Sequence, residues 1–405
     1  MASWNLSSSQ RAKDTINPIR ETVATILLPT DFHLPTYSLA LGDPSVFPDF
    51  AVNPIFTRIA QENLLSGTGN GYCLAAGPRP AREALARQFS YENIQLSWED
   101  VILDIGGSGA IHTAMQVFLN PGDNILIPAP GFPLYKCMAG NLSAEARLYS
   151  LRPDHGWEID FNDLDRLVDE RTKLLVIINP SNPCGSVFTK EHLLEILDWA
   201  ERHKICILAD EVYTGMSYGK PHIPIGSLTD EVPVFTIGAM SKMYLVPGWR
   251  CGWLIVYDKH NKCAEFRDAI LKVKNMLLHP APFIANSIPA IIEQTPENYM
   301  SEVMQKVKER AELVYQKIQE TPGLSMQMPE GALYCMISID LEAFEDFGNS
   351  IIFAEKLARE QGVLVLPGES FMSHRAFRVV LCQSRAVLEE CMDRIKNFAA
   401  AHHKK

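Results

Sequence analysis

The chain has 405 residues, 47% of them hydrophobic, and carries 37 Lys and Arg against 48 Asp and Glu for a net charge of −11. That is ordinary globular composition for about two domains, and it excludes global disorder. The acidic balance argues against nucleic-acid binding, which needs a basic field, and no apolar run approaches the roughly 20 residues that span a bilayer.

The amino terminus, Met1-Ala-Ser-Trp-Asn-Leu-Ser-Ser-Ser9, lacks a basic segment followed by an apolar one, so no secretory signal is expected. The nine cysteines are scattered and none forms a Cys-x-x-Cys pair. No disulfide framework or metal site is expected, and a reducing compartment, the cytosol, is the natural setting.

Strand and helix alternate through the middle of the chain. Val101-Ile-Leu-Asp-Ile105 reads as a strand, Gly106-Gly-Ser-Gly109 as a turn, and 110–119 as a helix with Ile111, Ala114, Met115 and Phe118 on one face. Strands are predicted at 124–127, 173–178, 205–208, 234–237 and 254–257. The 173–178 run is apolar on both faces, as in a parallel sheet covered by helices. Thr189 is placed to cap a helix whose buried side is Leu193, Ile196, Leu197 and Ala200.

The pattern changes near residue 300. A long amphipathic helix is predicted over 301–320, with Val303, Val307, Val314 and Ile318 inward. After it come a segment at 332–339, a helix near 351–361, strands at 363–366 and 377–381, and a closing helix after Ser384. The predicted fold class is therefore α/β, with a large domain over 42–300 and a smaller α+β domain over 301–405. Residues 1–41 form an amino-terminal arm and a segment expected to pack on the small domain.

In α/β sheets, ligands bind beyond the carboxyl ends of the strands. Four segments fall there. Gly106–Gly109 joins a strand to a helix and suits an anion, although a plain tight turn uses the same residues. Asn179-Pro-Ser-Asn-Pro-Cys-Gly185 places two Asn-Pro steps in one stiff loop. Asp210-Glu-Val-Tyr213 sets a carboxylate at a buried strand end, where it needs a partner. Ser241-Lys-Met-Tyr-Leu-Val-Pro-Gly-Trp-Arg-Cys-Gly252 sets Lys242 just past a buried strand, with Arg250 in a Pro/Gly-rich turn. Most lone lysines are solvated surface, so it is the company of Lys242 that singles it out. Lysine, aspartate, tyrosine, asparagine, an anion turn and an arginine are the residue types that pyridoxal phosphate uses. They supply a Schiff-base amine, a partner for the pyridine nitrogen, ring-oxygen donors and a phosphate cradle.

The segments 179–185, 210–213 and 241–252 together resemble the signature stretches of the fold-type I, class I/II pyridoxal-phosphate aminotransferases, in the same order across nearly the whole chain. Within that family the resemblance is closest to the tyrosine aminotransferase branch. The stretches that carry it are Asn17-Pro-Ile-Arg20, Gly42-Asp-Pro44, Asn70-Gly-Tyr72, Pro130-Gly-Phe132, 179–187 and Leu245-Val-Pro-Gly-Trp-Arg250.

The resemblance implies a mainly parallel seven-stranded sheet in the large domain. It implies Lys242 as the Schiff-base lysine and proton shuttle, and Asp210 on the pyridine nitrogen. Asn182 and Tyr213 would contact the ring hydroxyl, and Phe132 would stack on the ring. Gly107, Ser108 and Arg250 would hold the phosphate, with Tyr72 reaching in from the second subunit of a homodimer. Arg378 would clamp the substrate α-carboxylate, with Asn182, Gly42, Asn17 and Arg20 also lining the substrate site; no metal is implied. A surface arginine on an edge strand is the bland alternative for Arg378, and a capped, solvated arm that for Asn17 and Arg20.

Two departures stand out. Ala239 sits where many relatives carry a phosphate-binding Ser or Thr. No arginine lies in 277–282, where the aspartate branch places its second one; only His279 is there. The expected reaction is ping-pong transamination between an aromatic or large apolar amino acid (tyrosine, phenylalanine or methionine) and a 2-oxo acid such as 2-oxoglutarate or pyruvate. Arg20 or His279 would meet a distal carboxylate. The rivals are an alanine-type aminotransferase, a carbon–sulfur β-lyase, and a non-enzymatic relative used for binding or regulation.

Overall fold

The computed structural model describes residues 4, 6–25 and 33–404; of residues 20 and 23–25 it describes the backbone alone. One large sheet dominates. Its order is Val101–Ile105, Cys251–Tyr257, Val234–Ala239, Cys206–Asp210, Thr172–Ile178, Asn124–Ala129 and Glu145–Arg152, with the two-residue strand Glu158–Ile159 added at the edge. Among the seven long strands only Cys251–Tyr257 runs against the rest. Helices cover both faces, and each face has its own apolar core. This explains the strand at Thr172–Ile178, which is apolar on both sides because neither side meets water.

The helix Lys190–His203 starts where Thr189 Oγ1 accepts from His192 N at 3.2 Å and ends at Lys204 in the left-handed region. One local expectation fails. Gly106–Gly109 is not a turn before a helix but the helix's first turn, in Gly106–Phe118. Ile105 precedes it without a capping side chain, so the first N–H groups of the helix stay unpaired by any cap.

After the long helix Tyr299–Gln319, a second sheet forms from Leu324–Ser325, Tyr334–Ile339, Ala376–Val380 and Leu366–Pro367, all antiparallel neighbours. It is backed by Ser350–Gln361 and by Arg385–His402, which Ser384 caps. The apolar run at 363–366 does not make one strand. Val363–Leu364 pairs in parallel with Tyr37–Ser38, while Leu366–Pro367 pairs with the second sheet. Two partners on either side of Val365 divide the run.

The amino-terminal segment touches both bodies. Tyr37–Ser38 joins the carboxy-terminal part, and Val380 N donates to Leu39 O at 2.9 Å. The short helix Gln10–Asp14 instead lies against Leu134–Asn141, where Asn141 Nδ2 donates to Thr15 Oγ1 at 2.9 Å. Among the described residues no helix is long and apolar enough to cross a membrane.

Candidate active site

Three parallel strands end side by side, with Ile178 opposite Asp210 and Asp210 opposite Ile237. Register therefore brings the loop 179–185, the segment 210–213 and the segment 240–250 to one edge of the sheet. The second sheet and the segment 39–42 close over that edge.

Asp210 is the last residue of its strand and is 3% exposed. Its Oδ2 accepts from Tyr135 Oη at 2.9 Å, and its Oδ1 from Val212 N at 3.4 Å. Burial pushes the carboxyl up to about 6, and those two donors pull the other way. Tyr135 escaped the sequence reading. Its only signal there was a tyrosine one helical turn from Pro130-Gly-Phe132, and nothing linked it to Asp210.

Lys242 sits in the single helical turn Met240–Met243, directly after the strand ending at Ala239. It is half-buried, and Nζ donates to Gly42 O at 2.6 Å. No carboxylate pairs with it among the described residues, so the amine is held by a neutral carbonyl that can release it. Tyr213 is buried, and its hydroxyl lies 3.0 Å from that of Tyr334.

Arg378 is 3% exposed, on the central strand of the second sheet. Nη1 donates to Asn182 Oδ1 at 2.9 Å and Nη2 to Ala40 O at 2.8 Å. The rings of Tyr334 and Phe371 lie 4.3 and 4.8 Å from the guanidinium carbon. Nε has no hydrogen-bond partner among the described residues. No acid neutralises this cation among the described residues. A buried, unpaired charge is costly, so the site is built to receive an anion. The position is central and buried, which removes the edge-strand alternative.

The uncapped start of Gly106–Phe118 faces Arg250. Nη2 of Arg250 donates to Ser108 Oγ at 3.1 Å and to Ile105 O at 3.4 Å, and no carboxylate pairs with it among the described residues. Gly106 has φ +69°, and a Cβ there would lie 2.5 Å from Arg250 Nη2. Only glycine permits both the turn and the approach of the arginine. Behind this cradle, Asp104 accepts from Ile105 N at 2.7 Å and Thr113 Oγ1 at 2.6 Å, and pairs with Lys274 Nζ at 2.9 Å. That buried network pins the strand-to-helix junction. The sequence hid it, because Lys274 belongs to a helix far along the chain.

Phe132 is half-buried beside the sheet face that holds Tyr135, and Tyr72 is 92% exposed. Asn17 Oδ1 is buried with no partner among the described residues. Arg20 lies in the helix Pro18–Thr25, but its side chain falls outside the described residues. His279 is buried with Nδ1 against Pro280 O at 2.7 Å and Nε2 accepting from Cys73 N at 3.4 Å. Both ring nitrogens are engaged, so His279 presents no free donor to a distal carboxylate. Ala239 ends its strand without a side-chain oxygen, so the strand end adds no hydroxyl to the cradle formed by Arg250 and the helix start.

The donor set fits pyridoxal phosphate. An uncapped helix start with an unpaired arginine suits a phosphate, a buried strand-end carboxylate suits a protonated pyridine nitrogen, and a lysine free of acid partners suits an aldehyde carbon.

Comparison with known proteins agrees. The family described as aminotransferase class I and II matches residues 39–395. Tyrosine aminotransferase of Mus musculus is 38% identical over 404 residues, covering 99% of this chain and 89% of that protein, and the Homo sapiens enzyme is 37% identical over the same span and shares. The crystal structure of tyrosine aminotransferase from Leishmania infantum superposes with a TM-score of 0.95 at 30% identity, covering 100% of both chains. Alanine aminotransferase from Pyrococcus furiosus follows with 0.89 at 28%, covering 98% of this chain and 100% of that one. A buried strand-end carboxylate, an acid-free lysine and an anion cradle on this sheet thus have one shared explanation: the chain belongs to the class I and II aminotransferases and is a pyridoxal-phosphate enzyme of the tyrosine aminotransferase-like kind.

Proposed function

We propose that the enzyme moves an amino group between an aromatic or large apolar L-amino acid and a 2-oxo acid, by a ping-pong mechanism. Tyrosine and phenylalanine are the proposed donors, with methionine tolerated, and 2-oxoglutarate or pyruvate the acceptors. The observation that carries this reading is Arg378, a buried guanidinium that meets no acid among the described residues and has two aromatic rings on its flanks. It suits one α-carboxylate beside an apolar side chain. The named activities of the similar mouse, human and Leishmania proteins support the aromatic preference.

When bound, pyridoxal phosphate supplies an electron-accepting ring that lets an amino acid lose its Cα proton. In this reading Lys242 Nζ takes and returns that proton, and Gly42 O holds the amine when it is free. Asp210, held by Tyr135, keeps the proton on the pyridine nitrogen. Tyr213 and Asn182 donate to the ring oxygen, and Phe132 covers the ring. Gly107, Ser108 and Arg250 hold the phosphate. Arg378 orients the substrate carboxylate, and the segment that carries Asn17 and Arg20 is proposed to line the substrate side chain.

We also read the chain as an arm at 1–41, a large domain at 42–300 and a small domain at 301–405, supported by the two separate sheets. A homodimer with Tyr72 completing the partner's phosphate site is proposed on the exposure of Tyr72 among exposed apolar neighbours. Leu65, Leu74, Met276 and Leu277 are all exposed, and Cys73 N reaches His279 across that region. Nine unpaired thiols support the cytosol as its compartment.

The test is kcat/KM for tyrosine, methionine, alanine and aspartate with both acceptors, together with borohydride mapping of the cofactor-bearing lysine. Tyrosine should lead and the label should fall on Lys242. Aspartate leading tyrosine by about tenfold would remove the aromatic assignment, and a label on another lysine would remove Lys242 from its role. Pyruvate and ammonia released from cystathionine faster than transamination would instead identify a β-lyase.

A further inference from the structure

Tyr334 stands where the parts of the site meet. It opens the strand Tyr334–Ile339 and is 2% exposed. Its hydroxyl oxygen lies 3.0 Å from Tyr213 Oη and 3.5 Å from Gly42 O. Gly42 O is the same carbonyl that receives Lys242 Nζ at 2.6 Å. The face of the Tyr334 ring lies against the Arg378 guanidinium at 4.3 Å. One side chain therefore touches the tyrosine, the lysine's carbonyl and the arginine.

We propose that Tyr334 is a positioning residue whose hydroxyl directs the Tyr213 proton and whose ring directs the Arg378 fork. The inference rests on the roles given above to Tyr213, Lys242 and Arg378. Each phenol has a single proton, so two facing hydroxyls share one hydrogen bond. In the structure Tyr213 donates to Tyr334 and Tyr334 donates to Gly42 O, so the Tyr213 proton is spent inside the protein. The proposed role is a reversal of this chain of hydrogen bonds: once the Tyr213 proton goes to the ring oxygen, Tyr334 donates to Tyr213 and leaves Gly42 O to the lysine. A hydroxyl that accepts a hydrogen bond is also the stronger donor. The pair is buried, so water cannot replace a missing hydroxyl.

The space is built for that oxygen. A Cβ on Gly42 would lie 2.8 Å from Tyr334 Oη, so glycine leaves the room the hydroxyl occupies. The ring has a separate effect. With Phe371 on the guanidinium at 4.8 Å, Tyr334 sets the plane in which Arg378 offers its donors.

Two variants separate the two roles. Tyr334→Phe removes the oxygen and keeps the ring, and Tyr334→Leu removes both. The first readout is the pH titration of the visible absorbance of the holoenzyme's cofactor. Its midpoint should rise by roughly half a pH unit or more in both variants, because Tyr213 becomes the weaker donor to the ring oxygen. The second readout is KM for tyrosine. It should stay within about twofold of wild type in Tyr334→Phe and rise about tenfold in Tyr334→Leu. A wild-type midpoint in Tyr334→Phe overturns the role of the hydroxyl, and a wild-type KM in Tyr334→Leu overturns that of the ring. A wild-type holoenzyme with no titrating visible band overturns the reading of Lys242 itself, and this inference with it.

Discussion

Tyr135 Oη donates to Asp210 Oδ2 at 2.9 Å, and neither side chain reaches solvent. The two come from different layers, one from the helix Leu134–Asn141 and the other from the end of a central strand. In the role proposed for it, Asp210 must be ionised to hold a proton on the pyridine nitrogen, yet burial favours its neutral form. The phenol stabilises the charged form without adding a charge of its own.

Tyr135→Phe removes that donor and little else. A hydrogen bond to a buried charge contributes about 1.5–3 kcal/mol, so kcat should fall about 10- to 100-fold. Cofactor affinity should fall with it. Steady-state kinetics and a fluorescence titration with pyridoxal phosphate check both. Wild-type values in this variant would show that Val212 N alone keeps Asp210 ionised.

Arg378→Lys keeps the charge and removes the fork. A lysine cannot bond a carboxylate and Asn182 in the planar geometry that the two flanking rings impose. KM for the amino acid should rise about 10- to 100-fold, with a smaller change in kcat. The same rise should appear for the 2-oxo acid, whose carboxylate would use the same clamp. A KM change for only one of the two substrates would contradict a single shared carboxylate site.

Glu211 predicts a pH dependence of stability. It is buried beside Asp210 and is pushed up to about 8 by burial, while Oε1 accepts from Ile225 N at 2.9 Å. His222 Nε2 lies 3.9 Å from that oxygen, and burial lowers the His222 pKa to about 4. Between the ordinary carboxyl value of 4.5 and about 8, the folded state holds a proton on Glu211 that the unfolded state has lost. Its contribution to stability therefore declines as pH rises through that window. His222 acts oppositely between about 4 and 6.5, where only the unfolded state binds a proton. Glu211→Gln removes the first effect and keeps the second. The Tm of the variant relative to wild type should climb from pH 5 to pH 8, which thermal melts at saturating cofactor would show. A difference flat across that range would mean that Glu211 is ionised in the fold.

The proposed shared-site dimer predicts complementation. Lys242→Ala lacks the amine, and Tyr72→Ala lacks the proposed partner contact to the phosphate. Mixed dimers would contain one site with both residues intact. Co-expression of the two chains should restore tight cofactor binding and activity in that site, measured against each variant alone. No recovery in a verified mixed dimer would place Tyr72 in its own subunit's site or in none.

The sequence by itself determined what is local or periodic. Hydrophobic spacing marked the helices from Thr189 and Ser384 and the strand before Asn179, because burial of one face or both is written in the residues themselves. Strand-end position together with their company marked Lys242 and Asp210, because ligands of α/β sheets bind beyond the carboxyl ends of the strands. Tertiary structure decided everything that depends on partners distant in the chain. It joined Tyr135 to Asp210, Lys274 to Asp104, Asn182 to Arg378, and Tyr334 to Tyr213. It divided the run at 363–366 between two sheets and began the helix at Gly106 rather than after Gly109. The physical reason is common to all of them. A hydrogen bond or ion pair is defined by distance in space, and only the register of parallel strands and the closing of one sheet over another set those distances.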